Sequence, residues 1–191
     1  MKKPILNLSS ILQDSHTNGP GNRDVIWVQG CSIRCHGCFN QHLWNFDEKF
    51  LIPVDKLIEK FKTRIDYIEG VSILGGEPIH QSYALSYFLK EIKNIKLTTV
   101  VYTGFTHEHL IKQKNEWIDY VLKYTDILID GAFNEEKKDI NLIWRGSTNQ
   151  RILFLSDEYS EKDIPKPENY INSETHLFNS DNIEIIETGI K

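Results

Sequence analysis

The sequence predicts an α/β fold with a mostly parallel sheet, and three observations lead there. Its short β-branched runs are apolar throughout, as strands buried on both faces are. Segments with apolar residues at three- and four-residue spacing separate those runs. The length of 191 residues fits one domain. It falls short of the roughly 250 residues of a complete eight-fold β/α barrel.

Residues 25–28 read as the first buried strand, and a cysteine-bearing loop follows it. Pro53 opens a helix with Val54, Leu57, Ile58, Phe61, Ile65 and Ile68 at helical spacing, and Gly70 stops it. Residues 71–74 are a second strand running into Gly75-Gly76. Residues 80–93 form a second helix, with Tyr83, Tyr87, Phe88 and Ile92 on one side. Residues 97–102 are a β-branched strand ending at Thr103-Gly104. Residues 106–123 read as one helix with Leu110, Ile111, Ile118, Val121 and Leu122 facing inward. Residues 126–129 are a further strand ending at Asp130-Gly131. A long charged loop spans 134–148, a fifth strand 151–155 and a weak sixth 183–186. Right-handed crossovers place the C-terminal ends of parallel strands on one rim, where ligands bind in such folds. The cysteine loop, the Gly75-Gly76-Glu77-Pro78 turn, Tyr102-Thr103-Gly104 and Asp130-Gly131 all fall on that rim.

The net charge of −5 argues against a general nucleic-acid binder. No apolar run approaches the ~18 residues of a membrane span, and residues 1–10 carry no apolar segment of signal-peptide length. The charge is uneven. Residues 156–191 hold nine acidic and three basic residues, whereas residues 1–155 are close to neutral at +1. Two regions are therefore expected: a folded body over 1–155, and an acidic extension over 156–191 packed on or flanking it. The extension reads as a solvated segment or as one that docks a partner.

All three cysteines, Cys31, Cys35 and Cys38, lie within eight residues. An odd number cannot close a disulfide set, and clustered thiols suit a reducing compartment, the cytoplasm. Three chemistries remain open. A zinc site wants four ligands, so His36 or His42 would complete it. A disulfide would leave one thiol free. A cubane iron–sulfur cluster has four irons, and three cysteines leave one iron with an open position.

The segment 30–40, Gly30-Cys31-Ser32-Ile33-Arg34-Cys35-His36-Gly37-Cys38-Phe39-Asn40, resembles the cluster motif of the radical S-adenosylmethionine enzymes. Within that superfamily the chain is similar to the activases of anaerobic ribonucleotide reductase and of related glycyl-radical enzymes. The resemblance also rests on residues 18–23, on Gly75-Gly76-Glu77-Pro78, on Tyr102-Thr103-Gly104, on residues 130–133 and on residues 145–152. It runs from about residue 18 to 155 and implies a partial, open β/α barrel of the radical-SAM type.

The resemblance implies a [4Fe-4S] cluster on Cys31, Cys35 and Cys38, with S-adenosylmethionine chelating the open iron. One electron would cleave the sulfonium to methionine and a 5′-deoxyadenosyl radical, which abstracts a hydrogen atom. Gly75 and Gly76 would let backbone approach the methionine amino group, and Glu77 would accept a bond from it. Gly37, Cys38 and Phe39 would meet the adenine. Phe39 supplies an aromatic face where the wider superfamily often places one before the third cysteine. Thr103 would bond a ribose or carboxylate group, and Asp130 the ribose hydroxyls or the sulfonium side of the cofactor, although both residue types also suit plain turns. Arg145 and Arg151 would steady cofactor or partner, or else form surface salt bridges. Trp44 would shield the cluster. His16, His80, His107, His109 and His176 carry no readable spacing. The implied partners are a glycyl-radical enzyme as substrate and flavodoxin or ferredoxin as electron donor. Two alternatives stand beside this reading: radical chemistry on a peptide or small molecule, and a zinc-stabilised interaction module.

Overall fold

Strands that are apolar throughout need cover on both faces, and the sheet has it. The computed structural model describes residues 3–166, 168, 170, 173–177 and 185–189, the last two stretches as backbone only. Seven strands form one sheet: β1 (Ile5–Ser15), β2 (Arg23–Val28), β3 (Phe50–Pro53), β4 (Gly70–Gly75), β5 (Thr98–Tyr102), β6 (Ile127–Asp130) and β7 (Arg151–Phe154). Their order is β3-β1-β2-β4-β5-β6-β7. β2, β4, β5 and β6 run parallel. β1, β3 and β7 pair antiparallel at the two ends of the sheet. The architecture is thus mixed α/β, and the expected parallel character belongs to the four central strands alone.

Alternate residues along those strands enter different cores. Ile26 and Val28, Val71 and Ile73, Val101, and Leu128 join the helices α1 (Val54–Lys62), α2 (Ser82–Asn94), α3 (His107–Lys112) and α4 (Glu116–Lys123) in the larger core. Val25 and Trp27 face the other way with Leu12 and Leu43. Val100, Ile127 and Ile129 also take that second face, against Ile143 and Trp144. Each strand therefore reads as an unbroken apolar run.

Sequence reading missed β1 and β3 of the main sheet, and β8 beyond it; for β1 the reason is visible. An irregularity between Leu8 and Ser10 inserts a residue into its pairing with β2. Leu6, Leu8 and Ile11 consequently meet the helical core while Leu12 meets the opposite one. The bulge breaks the two-residue period that would have marked a strand.

The expected helix over 106–123 is two helices. Lys114 takes a left-handed φ of 49°, and Asn115 caps α4 by accepting the Trp117 N–H at 2.9 Å. The shift in phase leaves Ile111 exposed. α1 likewise stops at Lys62, before Ile65, which is exposed.

The described residues between 156 and 170 pack on the body. Tyr159, Ile164 and Tyr170 join the second core. The Tyr159 hydroxyl bonds Thr98 and Glu69, and the Tyr170 hydroxyl donates to the Thr17 carbonyl at 2.8 Å. Beyond them β8 (Ser173–Leu177) and β9 (Ile185–Gly189) form a separate antiparallel pair. Ile185 and Ile186 of the expected sixth strand belong to that pair rather than to the main sheet, and residues 183–184 lie outside the described residues.

The N-terminal ends of the parallel strands are tied by Arg23, which is fully buried. Its guanidinium donates to Ser72 Oγ, Thr98 Oγ1 and the carbonyls of Pro20, Val71 and Thr98, at 2.9–3.1 Å. Removing a buried donor that many acceptors depend on leaves each of them desolvated and unpaired. Arg23→Met is expected to destabilise the chain by about 3–5 kcal/mol in urea unfolding. A loss under about 1 kcal/mol would show that these acceptors find other partners.

Candidate functional site

The C-terminal ends of β2, β4, β5 and β6 meet one cavity of about 430 Å³. The cysteine loop that follows β2 is pinned at several points. Gly30 N–H donates to the Leu43 carbonyl at 2.9 Å, and Cys31 N–H to the Trp44 carbonyl at 3.0 Å. Ser32 N–H donates to His80 Nε2 at 3.2 Å, and the Ser32 hydroxyl lies 2.9 Å from the same nitrogen. His80 sits between the rings of Phe46 and Phe105, and burial holds its imidazole below the ordinary range. A neutral ring is what a lone pair on Nε2 requires. His80 thus anchors the loop, a role that nothing in its sequence neighbourhood signals.

The rest of the loop turns tightly. Arg34 and Gly37 take left-handed φ values of 51° and 72°, and Cys38 N–H donates to the Cys35 carbonyl at 3.1 Å. This brings all three sulfur-bearing side chains into the cavity wall. All three are free cysteines. Burial pushes the Cys31 and Cys35 thiols up. Among the described residues, no three His, Cys, Asp or Glu side chains converge on a single metal-ion position. His42 lines the cavity, whereas His36 Nδ1 reaches Glu135 Oε2 at 2.6 Å.

Of the other predicted residues, Phe39, Gly75, Gly76, Glu77 and Thr103 line the same cavity; Gly37 and Asp130 stand outside its lining. The two glycines of the β4 turn have a packing reason that sequence reading did not supply. A Cβ on Gly76 would lie 2.4 Å from the Gly30 carbonyl oxygen, and one on Gly75 would lie 2.8 Å from the Val28 nitrogen. The turn is bonded there: Gly76 N–H donates to the Val28 carbonyl and Glu77 N–H to the Gly30 carbonyl, each at 2.8 Å. A side chain at Gly76 would therefore push on the cysteine loop itself.

Glu77 is 1 % exposed, and its carboxylate is filled by the protein. Oε1 accepts from Ile79 N–H (3.0 Å) and Thr103 Oγ1 (2.8 Å), and Oε2 accepts from Gly104 N–H (2.8 Å). Thr103 in turn accepts from Phe105 N–H at 3.1 Å. Both residues clasp the ends of β4 and β5 together. Asp130 is fully buried and turned away from the cavity. It accepts from His107 N–H at 2.7 Å and from the Arg151 guanidinium. Arg151 also grips Glu108 with two bonds. Arg145, in contrast, lines the cavity with Trp144.

Burial raises the Glu77 carboxyl to about 7, against three bonds that pull it down. Its folded-state affinity for a proton exceeds that of the unfolded chain, whose ordinary value is 4.5. Its contribution to stability is therefore full below about pH 4.5 and is lost as pH rises toward 7. Urea unfolding of the wild type against Glu77→Gln should show the wild type losing about 3 kcal/mol relative to the variant between pH 4.5 and 8. A pH-independent difference would mean that the carboxylate is ionised throughout.

Comparison with known proteins is consistent across length. Residues 17–153 match the family model described as a 4Fe-4S single cluster domain. The chain is 36 % identical over 154 residues to the anaerobic ribonucleoside-triphosphate reductase-activating protein of Pasteurella multocida (strain Pm70), covering 74 % of this chain and 92 % of that one. The protein of the same name from Escherichia coli (strain K12) is 34 % identical over 147 residues, covering 72 % and 92 %. That of Enterobacteria phage T4 is 30 % identical over 163 residues, covering 80 % and 96 %. Among solved structures, QueE from Escherichia coli aligns over 54 % of this chain and 53 % of its own, at 19 % identity and a TM-score of 0.41. With its cysteine loop, its Gly-Gly-Glu-Pro turn and relatives matched over nearly their whole length, the chain belongs to the family of anaerobic ribonucleoside-triphosphate reductase-activating proteins.

Proposed function

We propose that this chain is a radical S-adenosylmethionine enzyme that generates a glycyl radical on an anaerobic ribonucleotide reductase. The observation that carries the reading is the set of three free thiols, Cys31, Cys35 and Cys38, in the wall of one cavity at the rim of the parallel strands. The donor set fits a cubane cluster: three thiolate ligands, no fourth, and room beside them. When bound, the cluster supplies one electron that cleaves S-adenosylmethionine and so starts hydrogen-atom abstraction.

The chain's own residues then bind, orient and exclude water. The turn at Gly75 and Gly76 keeps backbone, without side chains, at the cavity wall. Glu77 and Thr103 act as positioning residues, because their polar atoms are already committed to each other and to the backbone. Asp130 is likewise a positioning residue, holding the start of α3 and the start of β7. Phe39, half-exposed and packed on Phe133 at 5.7 Å, offers a ring face to the adenine. Gly37 serves through its left-handed turn, which aims Cys38 inward.

We read the seven-stranded sheet as a partial barrel of the radical-SAM type, left open so that a protein substrate reaches the rim. The three cysteines are all used by one cluster, so the electron comes from outside, from flavodoxin or ferredoxin. A cytoplasmic setting follows from the need for reduced thiols, and no nucleic-acid partner is assigned. Among the described residues no helix is long and apolar enough to cross a membrane.

Mixing the anaerobically reconstituted, reduced protein with its reductase partner and S-adenosylmethionine should give the doublet of a glycyl radical in electron paramagnetic resonance. Cys31→Ala, Cys35→Ala and Cys38→Ala should each abolish both the doublet and S-adenosylmethionine cleavage. Colourless protein with one zinc and no iron after reconstitution would overturn the reading.

The folded unit, on this reading, extends past residue 155 to residue 170. Tyr159, Ile164 and Tyr170 each cover apolar surface worth about 1.5–3 kcal/mol. Deleting residues 156–191 should lower the melting temperature by at least about 10 °C and weaken S-adenosylmethionine binding, whereas deleting 171–191 should preserve both. Equal behaviour of the two truncations would make 156–170 a dispensable extension.

A further inference from the structure

The cysteine loop is held by two different sets of partners. Its root is pinned from beside and below: Gly30 and Cys31 N–H bond the Leu43 and Trp44 carbonyls, and Ser32 bonds His80. Residues 35–39, which carry Cys35 and Cys38, have none of these supports. Among the described residues, their hydrogen bonds, ion pairs and ring contacts outside the loop all reach residues 133–138, in the connection between β6 and β7. Two of the three thiols therefore depend on a segment about a hundred residues further along the chain.

The contacts follow one another along both segments. His36 Nδ1 lies 2.6 Å from Glu135 Oε2. Gly37 leaves room for that carboxylate, since a Cβ there would lie 2.7 Å from Glu135 Cδ. The Phe39 and Phe133 rings are tilted, with centroids 5.7 Å apart, and Lys138 Nζ sits 5.0 Å from the Phe39 ring centroid. Gly146 backs Phe133 from the other side, where a Cβ would lie 3.0 Å from its ring. Residues 133–138 are themselves fixed to the body. Asn149 Nδ2 donates to the Ala132 carbonyl (2.8 Å), Asn134 N–H to the buried Ser147 hydroxyl (3.2 Å), and Thr148 N–H to the Lys137 carbonyl (2.9 Å). Asn134 also caps the short turn Glu135–Lys137 by accepting the Glu136 N–H at 3.0 Å. The His36 side chain is 95 % exposed, so its ion pair is the weaker tie. The packed rings are the stronger one.

We propose that residues 133–138 form a strap that positions Cys35 and Cys38 for the iron–sulfur cluster, with Phe133 as the main positioning residue and Glu135 as the second. The inference rests on the proposed function for the cluster it serves. Groups that orient the ligands from outside govern how firmly a metal group is held. Loss of the strap lets residues 35–39 open as a local unit, and two thiolates then leave together. Cys31, pinned separately, stays in place.

Transfer of iron from the anaerobically reconstituted holoenzyme to a ferrous chelator tests this, followed as fading of the visible absorbance. Phe133→Ala should speed iron loss about tenfold, and Glu135→Ala about threefold. Phe133→Tyr keeps the ring and should stay within about twofold of the wild type. His36→Ala should match Glu135→Ala, and the double variant should lose iron no faster than either, because both side chains act through one bond. Alkylation of the apoprotein thiols separates positioning from folding: Phe133→Ala should speed modification of Cys35 and Cys38 and leave Cys31 unchanged. An equal rise at all three thiols, or no rise at Cys35 and Cys38, overturns the strap. Unchanged iron loss in Phe133→Ala and Glu135→Ala, or additive effects of His36→Ala and Glu135→Ala, also overturns it while the proposed function stands. Wild-type protein that takes up no iron removes the proposed function and the strap with it.

Discussion

One buried carboxyl group links the turn after β4 to the end of β5. Glu77 receives Ile79 N–H from its own turn, and Thr103 Oγ1 and Gly104 N–H from the neighbouring strand end. Its own N–H reaches across to the Gly30 carbonyl, at the root of the cysteine loop. Three rim segments from distant parts of the chain are thereby held in one register. The contact demands glycine at 76, because a Cβ there would lie 2.4 Å from the Gly30 carbonyl oxygen, closer than a hydrogen-bond donor comes. The position of the thiols depends on this clasp as well as on the bonds that pin the loop carrying them.

The two ends of the parallel strands are built on different principles. At the N-terminal ends every buried charge has its partners. Arg23 is saturated by hydroxyls and carbonyls, and Asp126 accepts from Lys93, Thr99 and Ser156. At the C-terminal ends, donors remain unused and backbone is strained at Trp144 and Arg34. Saturated buried charges mark the end that supplies stability, although Asn22 Oδ1 there also lacks a partner among the described residues.

Sequence reading succeeded where the signal is local. The strands β2, β4, β5 and β6 declare themselves as short apolar runs, and the cysteine loop and the Gly75-Gly76 turn as tight motifs. It failed where the deciding partner is far along the chain. β1 hides behind a bulge that resets its alternation. Asp130 looks like a ligand residue until Arg151, twenty-one residues later, takes its carboxylate. The break at Lys114 was written in the cap residue Asn115, but a continuous apolar spacing masked it. In the acidic stretch after 155, Tyr159, Ile164 and Tyr170 are too sparse to show a period, yet each fills the second core. His80 and Trp144 had no local signal at all, since their roles exist only as distances.

The same sparse residues explain why the sheet needs the segment beyond 155. Helices α1 to α4 cover one face only, and the inward residues of β5 and β6 need cover on the other. Ile143 and Trp144 supply part of it from the β6–β7 connection, and the rest comes from Tyr159, Ile164 and Tyr170. Trp144 thus has two neighbourhoods: it belongs to the second core, and it lines the cavity. Because Tyr170 lines the cavity too and is tied to the Thr17 carbonyl, the packing that covers the sheet also fixes the wall that faces the thiols. Apolar walls of this kind lower the local dielectric, so each unpaired N–H on them attracts an acceptor more strongly than it would in water. Packing on the second face and recognition in the cavity are therefore one structural problem, solved by the same residues.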